Sequence, residues 1–394
     1  MQDTQNRARQ DLKCCVVVEN FHVFSQTFVN RHIAHLFSGN TCVITDHLFR
    51  DQLVPTEVNK PTHVRLLSDL PIIDKLCAPF VISAMRLCEG TRHGSWGAAR
   101  RRVLEFLARE KPDVILSEFG PQTVAIAPIA QAAGIPIFGY FRGSDASSRI
   151  QHKHVQKAYR KMMPRLAGII SVSQFLLDNL ASVGVTHPNA HVIPSGVDVT
   201  RFVPSGKRPN SCLALGRFVE KKQPLVTIRA FAEALKSTPS ATLTMVGDGE
   251  LFEPAKALVA ELGLQDAVSL PGARPHEDVR DLLSQTELFL QHSVTANNGN
   301  TEGLPTAIQE AMAAGCVTVS TRHAGIPEAI DEGITGFLSD EFDVEGYTRD
   351  VAMALALSEK DKQAIGQKAR EVAKDRFDNA KLLVRLEQVL VRAI

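Results

Sequence analysis

The sequence predicts an α/β protein of two Rossmann-like, doubly wound domains, and three observations lead there. The chain has 394 residues, more than one hydrophobic core usually organises. Apolar runs of strand length alternate with helical segments, the rhythm of βαβ units on a parallel sheet. Hydrophobic content of 44% and charged content of 22% are ordinary for a globular protein.

Charge excludes some partners. The net charge is +1, so the whole molecule is no polyelectrolyte binder and no nucleic acid is expected. Residues 1–200 carry 22 Lys and Arg against 16 Asp and Glu, and the remainder 22 against 27. The asymmetry points the first half at something anionic. The seven cysteines lack framework spacing, and Cys14, Cys15, Cys42, Cys212 and Cys316 read as buried hydrophobes of a reducing compartment. Residues 1–12 read as a disordered or expression-derived tail with no apolar signal region. No apolar run approaches the ~18 residues of a membrane span. A cytoplasmic or peripheral protein is expected.

CCVVVE (14–19) and TCVIT (41–45) read as buried strands around a loop and a helix carrying Phe28, Ile33, Leu36 and Phe37. No Gly-x-Gly-x-x-Gly follows the first strand, which argues against a dinucleotide-binding oxidoreductase. Ser25 or Thr27 suits a helix N-cap. Residues 46–75 look irregular, and a long helical stretch covers about 77–110 with a break near Gly94 and Gly97. DVILSEF, a helix over 123–133, IPIFGYF and the loop Arg142-Gly143-Ser144-Asp145 continue the pattern. Residues 149–168 read as a basic amphipathic helix. Val155, Ala158, Met162 and Leu166 mark its apolar stripe; Lys153, Lys157, Arg160, Lys161 and Arg165 crowd the rest. That pattern fits a solvated basic face or contact with anionic lipid. GIISVS, a helix from Gln174 and AHVIP follow. Pro, Ser, Gly and Lys cluster at 204–210, so the expected domains are 1–205 and 206–376, with a terminal helix over 377–394.

The second domain opens on SCLALG, a strand ending at Gly216. Arg217 and Lys222 lie five residues apart beyond it. Two cations at a strand's C-terminal end suit a diphosphate in the crevice of an open sheet; Lys221 is the adjacent alternative to Lys222. ATLTMVGDGEL and AVSLPGARPHEDV supply two more strands, the second followed by Arg274 and a capped helix. ELFLQHSV (287–294) reads as a strand leading into residues 297–338. There Glu302 and Glu310 are eight residues apart. Gly303 follows the first, and Pro305 suits the first position of a helix over about 304–314. Gly315 stops that helix and CVTVS is the next strand. A helix N-terminus beside a glycine seats phosphate, where a carboxylate would repel it. Glu302 is therefore expected at neutral hydroxyls beside the phosphate, and Glu310 at a second set further along. A phosphate flanked by two hydroxyl-bearing groups describes a nucleotide sugar. Helices of about 343–357, 359–375 and 379–392 complete the chain.

The stretch EGLPTAIQEAMAAGCVTVSTRHAGIPEAIDEGITGFL resembles the donor-site signature of family 4 glycosyltransferases. These are retaining enzymes of the GT-B fold, in which two Rossmann-like domains face a central cleft and a terminal helix packs back towards the first. The resemblance implies transfer of a hexose-type sugar from a UDP- or GDP-linked donor to a saccharide or lipid-linked acceptor. By that resemblance Glu310 holds the donor ribose hydroxyls and Glu302 faces hydroxyls of the transferred sugar. The N–H groups of Gly303 and Leu304 face the donor, Arg217 and Lys222 after Gly216 form the phosphate-binding pair, and Arg274 meets the base or ribose. Ser25-Gln26-Thr27-Phe28 is similar to an S-x-T-F stretch that faces the acceptor in polysaccharide-type members. Many members carry a His-Gly-x-Asp-like stretch where this chain has Arg142-Gly143-Ser144-Asp145. Asp145 then falls on the acceptor side, and Arg142 stands where the His would. Arg142 is expected to stabilise the leaving diphosphate or to bind an anionic acceptor group. No Asp-x-Asp occurs in the chain, so fixed cations are expected to do a metal's task, and no metal or cofactor is expected. A nucleotide-sugar epimerase or phosphorylase on the same fold would need paired acid–base groups or a Schiff-base lysine. A non-catalytic GT-B-like subunit would bind donor without turnover.

Overall fold

The computed structural model describes residues 11–21, 27–48, 63–65, 72–89 and 96–394. The chain forms two compact units, residues 1–193 with 383–394, and residues 194–382.

In the first unit seven strands form one parallel sheet. They are β1 (Cys14–Phe21), β2 (Thr41–Leu48), β3 (His63–Arg65), β4 (Val114–Glu118), β5 (Ile137–Phe141), β6 (Gly168–Ser171) and β7 (Ala190–Val192). Their order is β3-β2-β1-β4-β5-β6-β7. β1 and β4 are central and almost wholly buried, which is why residues 14–18 and 114–116 are continuous apolar runs without alternation. The order reverses between β1 and β4. Ligands of doubly wound sheets bind outside the C-terminal ends of strands at such a reversal.

Three local expectations change. His63–Arg65 pairs with β2 inside the segment read as irregular; three residues carry too short a pattern to be seen. The long helical stretch is two helices, Ile72–Glu89 and Gly97–Glu110; the second starts at Gly97, in keeping with the expected break, and the change is that the first starts at 72 instead of about 77. The basic stretch is an α-helix only over Lys153–Met162, between single turns at Ser148–Gln151 and Met163–Arg165. Pro164 lacks the N–H needed to continue the ladder.

The second unit holds β8 (Arg208–Leu215), β9 (Thr242–Val246), β10 (Val268–Gly272), β11 (Thr286–Leu290), β12 (Val317–Thr321) and β13 (Gly336–Ser339). All neighbours are parallel, in the order β10-β9-β8-β11-β12-β13, so the reversal lies between β8 and β11. Phe231, Leu243, Leu288, Val317 and Tyr347 pack in its core. β8 and β9 run into Gly216 and Gly247, with φ of 138° and 146°. A Cβ at position 247 would lie 1.9 Å from the Gly216 carbonyl oxygen, so only glycine lets the two strand ends approach.

This unit begins at Pro194, ahead of the expected 204–210, because the segment before β8 is tied to it. Val197 N–H donates to Phe377 O at 2.8 Å, and Asn379 N–H donates to Val197 O at 3.0 Å. Gln309 Oε1 accepts from Gly196 N–H at 2.9 Å, and Arg370 donates to Phe202 O at 2.6 Å. The last helix is Asn379–Val391. Residues 383–394 belong to the first unit, where Glu387 accepts the N–H of Phe37 at 2.7 Å. Among the described residues no helix is long and apolar enough to cross a membrane.

Candidate active site

The phosphate pair predicted from sequence lies where the second sheet reverses. Beyond β8 come Gly216 and Arg217, then a turn at Glu220–Lys222 and the helix Pro224–Leu235. A small depression there is lined by Gly216, Arg217, Lys222, Met245, Val246 and Gln291. Arg217 is exposed, and its guanidinium makes no hydrogen bond or ion pair among the described residues. Lys222 Nζ stands 3.1 Å from Glu302 Oε1, and Lys221 Nζ 3.4 Å from Glu302 Oε2. Lys221 also donates to Thr301 O at 3.1 Å. That separates the two lysines that the sequence leaves as alternatives: Lys221 braces the loop, and Lys222 lines the depression beside Arg217.

Glu302 is buried. Burial opposes its charge, but Lys222 and then Lys221 outweigh it and hold the carboxyl down at about 2. Burial also draws the Lys222 ammonium below its ordinary value, against the pull of Glu302. Each carboxylate oxygen of Glu302 thus has one lysine ammonium against it. The carboxylate expected to meet neutral hydroxyls rests on the two lysines, one of which is the cation expected to hold phosphate.

The helix after this loop starts at Thr306, with Pro305 at the cap position instead of inside it, because Pro305 has a non-helical ψ of 127°. The N–H groups of Gly303 and Leu304 donate to no protein acceptor among the described residues. Two histidines that sequence reasoning missed hold the motif. His323, fully buried, accepts the Glu302 N–H at Nε2 (3.0 Å) and meets Glu341 Oε1 at Nδ1 (2.7 Å). The first bond requires a lone pair on Nε2, so Nδ1 carries the proton. Gly325 N–H donates to Gly303 O at 2.9 Å. His276 Nε2 lies 3.0 Å from Glu310 Oε1, and this bond raises the imidazole above its ordinary value, against its burial. Arg274 is exposed and its side chain has no protein partner among the described residues. The helix His276–Gln285 after it has no side-chain cap. The signal available in sequence was His276 itself, at the first turn of a helix beside the expected base site.

In the first unit Arg142 is not a free cation. Its Nε and Nη2 donate to Glu118 at 2.7 and 3.2 Å, and its guanidinium lies between the rings of Tyr140 (3.7 Å) and Phe28 (4.1 Å). Burial opposes the Glu118 charge, but Arg142 and then His32 hold the carboxyl down at about 2. Asp145 accepts the N–H groups of Arg142 (3.0 Å), Gly143 (2.8 Å) and Gly120 (3.0 Å); its carboxylate shapes the loop. Thr27 is the first residue of the helix Thr27–His35 and half-buried. Ser25 lies outside the described residues. Among the described residues no group of three His, Cys, Asp or Glu could hold a metal ion.

Comparison with known proteins assigns this arrangement. Residues 200–372 match the family model described as Glycosyl transferases group 1, and residues 80–201 that of Glycosyltransferase Family 4. The chain is 30% identical to the colanic acid biosynthesis glycosyltransferase WcaL of Escherichia coli, over 68% of each chain. It is 27% identical to the amylovoran biosynthesis glycosyltransferase AmsK of Erwinia amylovora, over 95% of this chain and 92% of that one. Among solved structures, HepE of Anabaena superposes with a TM-score of 0.78 at 17% identity, covering 97% of this chain and all of that one. Sucrose-phosphate synthase of Thermosynechococcus elongatus gives 0.73 at 15% identity, covering 97% and 98%. The structural likenesses show the GT-B fold. The relatives, with two family models that run end to end over residues 80–372, show that the chain belongs to the family 4 glycosyltransferases and is an enzyme of that class.

Proposed function

We propose that this enzyme moves a hexose from a UDP-linked donor to a saccharide or lipid-linked saccharide in polysaccharide assembly, with retention at the anomeric carbon. The cluster beyond β8 carries the reading: the Lys221–Glu302–Lys222 ion pairs, the guanidinium of Arg217 and the N–H groups of Gly303 and Leu304, which have no protein partner among the described residues. The diphosphate binds Arg217, Lys222 and these N–H groups. Its charge competes with Glu302 for Lys222, and the Glu302 oxygen released by Lys222 receives a sugar hydroxyl. Glu310, steadied by His276, takes the ribose hydroxyls. As the anomeric bond breaks, its electron pair leaves with the diphosphate, the acceptor hydroxyl oxygen bonds the anomeric carbon on the same face and gives its proton to the departing phosphate oxygen, and Arg217 and Lys222 meet the developing charge. These fixed cations make a divalent metal unnecessary. The family resemblance supports retention. WcaL and AmsK are named for colanic acid and amylovoran biosynthesis, and HepE was crystallised with UDP and glucose; those names support the donor and the setting.

Thermal unfolding in EDTA tests the site. UDP at a hundred times its Kd should stabilise the protein by about 2.7 kcal/mol, GDP far less, and Glu310→Ala should lose the effect. A shift with GDP alone would reassign the base, and none with any nucleotide would remove the reading. NMR of the product formed in EDTA should show the donor's anomeric configuration. An inverted product, or turnover only with added metal, would overturn that part.

We place the enzyme in the cytoplasm, in peripheral contact with anionic lipid through residues 149–168. Five of six described free cysteines are buried, as in a reducing compartment. On the helix Lys153–Met162, Ala158, Tyr159 and Met162 are buried, while Lys153, Lys157, Arg160 and Lys161 are exposed. That face offers charge alone. The apolar part comes from the helix Ile72–Glu89, which exposes Ile73, Leu76, Phe80 and Leu87 and which Lys157 touches at Leu87 O (3.1 Å). The protein should sediment with phosphatidylglycerol vesicles and not with phosphatidylcholine, less so in high salt or as Phe80→Glu. Equal recovery with both vesicles would remove this element.

A further inference from the structure

A cavity of the second unit lies at the other end of its sheet from the donor cluster. It measures about 370 Å³, within the range of small-ligand pockets. Lys207 comes just before β8, Glu287 is the second residue of β11, and Gly315 comes two residues before β12. All three line the cavity, which places it at the N-terminal ends of the strands. The helix Glu359–Arg376 supplies most of the remaining wall, with Lys362, Gln363, Gln367 and Arg370. Gly366 seats that helix. A Cβ there would lie 2.3 Å from the Gly315 carbonyl oxygen, an approach only glycine permits.

The wall carries three cations and two carboxylates, and the charges do not cancel in pairs. Glu287 is spent on Lys362, at 3.1 Å, and Glu359 is exposed. Lys207 and Arg370, both half-buried, have no carboxylate partner among the described residues. Lys207 Nζ donates to the carbonyls of Leu283 and Thr286 and to Cys316 Sγ. Arg370 donates to the carbonyls of Val199, Phe202 and Ala313 through Nη1 and Nη2. Its Nε–H and one Nη2–H are left unspent. Burial draws the guanidinium below its ordinary pKa, and no neighbouring charge opposes it. Loop carbonyls need donors and not charge, whereas cations drawn out of water without a counter-ion are costly. An anion in the cavity supplies the counter-charge, and a planar guanidinium with spare donors suits an oxyanion. A bare phosphate would fill only a small part of the space. The neutral amides of Gln363 and Gln367 make the rest fit for hydroxyls.

We infer that this cavity binds a small phosphate monoester with a hydroxylated body. The phosphate takes the unspent donors of Arg370 in the field of Lys207 and Lys362, and hydroxyls of the body meet Gln363 and Gln367. The donor cluster stands beyond the C-terminal end of β8 and this cavity at the N-terminal ends of the strands, so both are occupied at once. The inference rests on the cavity and its charges and not on the identity of the sugar donor.

The test is equilibrium dialysis of the full-length protein against radiolabelled inorganic phosphate, glycerol 3-phosphate and glucose 6-phosphate. Saturating UDP keeps these probes out of the donor's phosphate seat. At least one ester should bind saturably, one per chain, and at least tenfold more tightly than inorganic phosphate. Gln363 and Gln367 are exposed on their helix, so the double variant Gln363→Glu with Gln367→Glu should fold normally. It sets two carboxylates in the wall and should weaken the ester tenfold or more. Arg370→Lys keeps a charge, removes the spare donors and should weaken it as well. Saturable binding by none of the three probes, an ester held no more tightly than phosphate, or an affinity that the double variant leaves unchanged overturns the proposal. Failure of the donor reading appears separately, as the absence of UDP binding, and the double variant still reports whether the ester sits in this cavity.

Discussion

Lys222→Met is expected to lower kcat for sugar transfer by about 10²–10³-fold, the usual effect of removing one preorganised charge from a developing anion. Lys222 lies beside Arg217 at the end of β8, and its ion-pair partner among the described residues is Glu302, at 3.1 Å. Methionine keeps most of the stem and deletes the charge. Glu302 keeps Lys221 at 3.4 Å, so the buried carboxylate is not left alone. The stability loss should stay below the roughly 3–5 kcal/mol of a buried charge stripped of its partner. Lys221→Met should do the reverse, costing more stability and less kcat, because Lys221 also braces Thr301 O. Single-turnover kinetics and urea unfolding of both variants separate the two roles. A larger kcat loss in Lys221→Met would exchange them.

Arg142→Met should destabilise the first unit by about 3–5 kcal/mol, since it leaves Glu118 buried with only His32 beside it. For a unit of this size the melting temperature would fall by on the order of 10 °C. UDP stabilisation of the second unit should survive, whereas a free diphosphate-binding cation at position 142 would lose it. The pH dependence has a definite sign. The Glu118 carboxyl is lowered from 4.5 to about 2 in the fold, so its contribution is complete above about 4.5. It is lost as pH falls towards 2, and amounts to about 3 kcal/mol. In Arg142→Met burial acts with less opposition, and the acid transition should move to higher pH. The double variant Arg142→Met with Glu118→Gln should recover part of the loss. An unchanged melting temperature in Arg142→Met would mean that the pair does not hold the loop.

The donor motif was legible in the chain because its parts are close neighbours. The expected phosphate seat needs a glycine at a helix start, and the expected hydroxyl sites need a carboxylate on either side of it; all fall within Glu302–Gly303–Leu304 and Glu310. Arg217 and Lys222 are likewise five residues apart. The continuous apolar runs of β1 and β4 announced buried parallel strands for the same local reason. What local pattern could not show is which side chains answer these residues from elsewhere. His276 reaches Glu310 across 34 residues, and His323 reaches the Glu302 N–H across 21. His32 meets Glu118 across 86, and Arg142 meets Glu118 across 24. In sequence Arg142 is a cation after a strand, open to any anion. The sheet order sets β4 beside β5, and that brings Glu118 against it before any ligand can arrive. The sequence by itself determined most of the strands and helices and pointed to where a phosphate would sit, because hydrophobic period and turn chemistry act over a few residues. Only the tertiary structure decided which charges are free and which are paired, because pairing depends on strand order and register, which bring together residues far apart in the chain.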